Sequence, residues 1–158
     1  MLYQWLVFVH VLGVFGFLLA HGVSSWVIFR VRSERDVKSL QALLQLSGSA
    51  VIASMISLLV LLAAGIWAAF VGHWWAMRWP WVAIGVLIVV WAAMSAQAGP
   101  AMRKVRQLAG FTSAFAVKPV DVTPELAAAQ AAVRPWISAT AGGAGLVVLL
   151  WLMVLKPF

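Results

Sequence analysis

The hydrophobic positions of this 158-residue chain fall into long unbroken runs, and the polar positions collect between them. A membrane-crossing helix needs about 20 apolar residues, and four segments reach that length: residues 4–29, 49–71, 81–99 and 136–155. A segment inside hydrocarbon must satisfy its own backbone hydrogen bonds, so each run predicts an α-helix. The expected fold is all-α, an integral membrane four-helix bundle forming one domain over residues 1–158, with polar loops at 30–38 and 103–134.

The loops carry start and stop signals. Ser33 with Asp36 three residues on resembles a capping box, which predicts a second helix starting near Glu34 and outrunning the bilayer before Val71. Gly48, between Ser47 and Ser49, is the expected bend. Pro80 and Pro135 stand where a helix accepts proline, at its start, while Gly99 and Pro100 weaken the inner end of the third helix. Residues 111–123 read as loop. Thr123, Pro124 and Glu125 then read as N-cap, first position and dipole-complementing acid of a short helix to Arg134. Small residues (Gly13, Gly16 and Ala20; Ser54 and Ser57; Ser138, Gly142 and Gly145) predict close helix approach.

Composition sharpens the class. The chain is 65% hydrophobic and 9% charged, against about 45–50% and about 25% in soluble domains. The formal net charge of +7 does not signal nucleic acid, because the basic residues sit in short loops beside apolar runs. Arg30, Arg32, Arg35, Lys38, Arg103, Lys104, Arg106, Lys118 and Arg134 fall on one side, and only Arg78 and Lys156 on the other. The positive-inside rule makes the first side cytoplasmic, in a bacterial cytoplasmic membrane, and leaves both termini outside. Tyr3, Trp5, Trp67, Trp74, Trp75, Trp79, Trp81 and Trp151 cluster near the outer boundary and Trp26 and Trp136 near the inner one, as an interfacial belt. No basic region precedes the first run, so it is expected to remain as a span. Cysteine is absent.

Candidate chemistry lies in the first run, whose strongly polar side chains are His10 and His21. Eleven residues bring the two imidazoles to within about 20° on one helix face, about 16 Å apart along the axis. They therefore cannot share one metal or haem iron. Ionisable groups inside a span are costly and usually face the bundle interior, which makes both functional candidates. Met55 and Met94 fall near the depth of His21, and imidazole with thioether is a ligand set for haem iron or copper. The plain alternative is core packing by the methionines, and for His10 a hydrogen bond to a neighbouring helix. No Asp or Glu lies inside a span, which removes carboxylate relays and carboxylate bases.

The first span, WLVFVHVLGVFGFLLAHGV, resembles the opening helix of a loose group of bacterial four-span membrane proteins. That group takes in uncharacterised integral membrane proteins, CopD-like copper-resistance domains and the four-helix protoporphyrinogen oxidase family. The likeness rests on His10, Val11, Leu12 and Gly13 after aromatic and aliphatic residues. It implies a haem- or porphyrin-binding role for His10. The oxidase family carries a lysine in its third span, whereas residues 81–99 hold none, and CopD-like domains carry more outer His and Met than His10, His73 and Met153. The uncharacterised group fits best.

These readings converge on a small membrane subunit, bound to lipid and to other membrane protein subunits, that holds haem b as an accessory or electron-transfer component of a redox complex. Such a chain suits holding a cofactor better than catalysing alone. A cofactor-free structural or assembly protein is the competing expectation, and copper or small-solute transport a third.

Overall fold

The computed structural model describes residues 1–157. Four helical stretches are long and apolar enough to cross a bilayer: α1 (Leu2–Ser33), α2 (Val37–Val71), α3 (Trp79–Leu108) and Pro124–Leu155. The last divides at residues 133–134 into a short α4 (Pro124–Ala132) and a long α5 (Pro135–Leu155). The chain is thus an all-helical bundle with the composition of a membrane protein, and the apolar side chains it leaves exposed are compatible with lipid contact.

Small residues set the pairing. A Cβ on Gly13 would lie 2.9 Å from both the Cβ and the backbone nitrogen of Leu61, and one on Gly16 would lie 2.8 Å from Ser57 Oγ. Nearer the loop, the Ser24 and Ser47 hydroxyls are 3.3 Å apart. As numbers rise along α1 they fall along α2, so the two helices are antiparallel and packed backbone against backbone. Gly145 against Val90 and Gly142 against Met94 set α3 and α5 antiparallel in the same way. The bundle is therefore two close pairs, α1 with α2 and α3 with α5, joined more sparsely through α1–α5 and through α4. The start of α1 and the end of α5 lie at the tryptophan end. There Lys156 Nζ sits 3.8 Å from the Trp74 ring centroid, and Trp81 Nε1 donates to the Trp75 carbonyl at 3.3 Å.

At the opposite, basic end the helices outrun the apolar segments and build a water-excluding core. Val27, Val31, Leu40, Leu44, Val105, Ala109, Leu126 and Val133 are fully or almost fully buried there. Fully burying one such side chain contributes about 1.5–3 kcal/mol where the alternative is water. Polar side chains tie off the helix-end carbonyls around it. Gln130 Nε2 donates to the Val31 and Glu34 carbonyls, both at 2.8 Å, and Gln41 Nε2 to that of Ala109 at 2.9 Å. Arg106 donates to the Leu44 carbonyl at 2.7 Å and the Ala114 carbonyl at 2.6 Å while lying over the Phe111 ring.

Four expectations change here. Ser33 does not cap α2: it is the last residue of α1, its hydroxyl donating to the Arg30 carbonyl at 3.1 Å. Asp36 is the cap instead, accepting from the Ser39 backbone amide at 2.8 Å, and the helix starts at Val37. α2 runs unbroken through Gly48, which serves contact: a Cβ there would press within 3.4 Å of the Ala114 carbonyl and 3.7 Å of Arg106 Nη1. α3 likewise continues through Pro100, because its last turns place Val105 in the core. It ends at Leu108, and Gly110 two residues on takes a φ of 88° that is open to glycine. Thr123 caps α4 as expected, accepting from the Leu126 amide at 3.2 Å, although α4 ends at Ala132 and not at Arg134.

Candidate functional site

His10 points from α1 into the seam with α2, where its Nδ1 lies 2.7 Å from the Leu61 carbonyl oxygen. A carbonyl only accepts, so Nδ1 carries the proton and donates. In the neutral ring this fixes the tautomer and leaves the Nε2 lone pair free. Space for the ring comes from Gly65, one turn along α2: a Cβ there would sit 2.7 Å from Nδ1 and 2.9 Å from Cε1. The Leu61 carbonyl keeps a second lone pair for its own helix. His10 is half-buried, and among the described residues the ring makes no hydrogen bond other than this one.

His21 lies about three turns further in on the same face and faces a different set of helices. Its ring stacks on Phe17, centroids 5.3 Å apart and planes 9° from parallel. A Cβ on Gly142 of α5 would lie 3.8 Å from His21 Nε2, 3.3 Å from Met94 Sδ and 3.2 Å from Met94 Cε. Three helices therefore bring an imidazole nitrogen and a thioether sulfur to the edge of one small gap, left by a missing side chain. Interpolating between Gly16–Ser57 and Ser24–Ser47 puts Val51 of α2 level with His21, and Ser54 about one turn nearer the tryptophan end. Ser54 is only 4% exposed, and its hydroxyl is buried without a hydrogen-bond partner.

The four residues singled out by sequence thus separate. His21 and Met94 meet at Gly142, and His10 stands apart at the α1–α2 seam. Met55 is 40% exposed, turned about 100° along the helix from the buried Ser54. His73 is exposed at the head of the turn Trp74–Ala76, with a φ of 56°. Glu34 and Asp36 lie between α1 and α2, and Asp121 and Glu125 lie in and after the long loop. Among the described residues no three His, Cys, Asp or Glu side chains gather as a metal cluster.

Two features of the structure escaped the sequence reading. Gly65 clears the His10 ring, and the signal available for it was a glycine in mid-span, a position that favours close approach. Ser54 was read as a packing residue, and nothing local in sequence marks its hydroxyl as unpartnered. Comparison with protein-family models, with curated proteins and with solved structures finds no match to this chain.

Proposed function

We propose that this chain is a small subunit of the bacterial cytoplasmic membrane, both termini outside, in which His10 would hold haem b within a redox membrane complex. The observation that carries this reading is the 2.7 Å bond from His10 Nδ1 to the Leu61 carbonyl. Ligating histidines characteristically give their other ring N–H to a carbonyl or carboxylate, which orients the ring and raises the basicity of the ligating nitrogen. The residue present fits the group as a ligand: a half-buried imidazole with Nε2 unengaged among the described residues. Any further ligand to the haem would come from a partner subunit, in keeping with an accessory role. Bound haem would supply one-electron chemistry; this chain's residues hold and orient it.

The test is an absorption spectrum of the full chain purified from haem-replete membranes, alone and with whatever co-purifies. The expected result is a Soret band that His10→Ala abolishes while the helical circular dichroism is unchanged. No Soret band, or one indifferent to His10→Ala, overturns the reading.

A second reading is a cofactor-free assembly protein, and the structured basic end favours it. The core built by α4 with the ends of α1, α2 and α3 gives a shaped surface on the side assigned to the cytoplasm. A colourless preparation carrying a stoichiometric protein partner would support it over the haem reading.

A further inference from the structure

The gap at Gly142 points to a second, separate site. We infer that His21 Nε2 and Met94 Sδ form a binding site for a single soft monovalent metal ion, Cu(I), between α1, α3 and α5.

The space decides between an ion and a macrocycle. A single added Cβ on Gly142 would stand 3.2–3.3 Å from Met94 and 3.8 Å from His21 Nε2, closer than ordinary contact on the methionine side, so the free space between the donors is smaller than a methyl group. That admits a bare ion. A porphyrin would require the three helices to part.

The chemistry of the donors decides which ion. One neutral imidazole and one thioether are soft, uncharged ligands, the combination that selects Cu(I) over hard cations. The cost of taking an ion out of water rises with the square of its charge, and no span holds a carboxylate to offset a divalent one. Phe17 stacks flat on the His21 ring and holds its orientation, leaving Nε2 turned to the gap. Met94 hangs on three rotatable bonds and can close on the ion without backbone movement.

This inference does not rest on His10 or on haem. The experiment is an anaerobic titration of the full chain in lipid nanodiscs with Cu(I), against a colorimetric Cu(I) chelator. X-ray absorption at the copper edge is then recorded on the loaded wild-type protein. One Cu(I) per chain is expected, with nitrogen and sulfur in its first coordination sphere. Met94→Leu, which keeps the volume, should weaken binding at least about tenfold. Gly142→Ala, which fills the gap and keeps both ligands, should do the same, while His10→Ala should bind as the wild type does. The idea is overturned if the chelator keeps all the copper, if the coordination sphere lacks sulfur, or if both Met94→Leu and Gly142→Ala bind like the wild type. The wild-type absorption spectrum decides even where a variant fails to fold. A haem-free preparation that still takes up Cu(I) sinks the proposal for His10 and leaves this one standing.

Discussion

At the basic end, Val31, Leu44, Val105 and Leu126 are closed off on every side by α4 and the ends of α1, α2 and α3. Three turns and more along α1, Leu12, Phe15 and Leu19 point outward and are exposed. Both regions are apolar, yet what holds them differs. Around Leu126 the competing solvent is water, so burial itself is the driving force. In the span the competing solvent is hydrocarbon, as apolar as leucine, and helices stay together by close contact and by a few hydrogen bonds. The positions that matter there are accordingly the small ones, Gly13, Gly16, Gly65 and Gly145, and the polar ones, Ser24 with Ser47 and His10 with Leu61.

This contrast orders the expected effects of mutation. The largest is Leu126→Ala, which leaves a cavity in the water-excluding core and should cost about 2–5 kcal/mol. It would be read as a lower midpoint of thermal unfolding for α4 and the 109–123 segment, by hydrogen exchange. If exchange there is unchanged, the basic end is not an independent core.

A medium effect is expected at Gly13, where an alanine Cβ meets the backbone of Leu61 at 2.9 Å. Gly13→Ala should cost about 1–3 kcal/mol by forcing α1 and α2 apart. A spin-label distance between the two helices near residues 13 and 61 should lengthen. An unchanged distance would mean that contact does not set this pair.

The smallest effect belongs to Asp36. The Ser39 backbone amide, helped by the Ser39 side chain, holds its carboxyl below the ordinary aspartate value. A lowered acid contributes stability that is complete above the unfolded value of about 3.9 and fades as pH falls through the lower folded value. Comparing melting temperatures of the wild type and Asp36→Asn should therefore show a difference that is constant at neutral pH and shrinks only below about pH 4. A difference that already changes near neutrality would place the titrating group elsewhere.

Much of the architecture was legible along the chain because lipid imposes a simple rule. Long apolar runs must become helices, and the runs containing His10, Ser54, Trp91 and Gly142 all did. Caps at Thr123 and prolines near helix starts at Pro80 and Pro135 were readable from local chemistry. Local signals misled where a distant contact intervened. Gly48 read as a bend and is a seat for Arg106, and Pro100 read as a weak point yet lies inside a helix that continues to the core.

The candidate sites divide along the same line. Helical periodicity alone put His10 and His21 on one face at two depths, because that spacing is a property of one helix. Which partners each meets is decided between helices. The pairing of α1 with α2 gives His10 a carbonyl and a glycine, and the packing of α5 against α3 brings Met94 to His21 while Met55 stays exposed. Depth along a span can be counted from sequence; direction around it depends on which helix stands next door, and here a missing Cβ at Gly65 and at Gly142 lets those neighbours come close enough to matter.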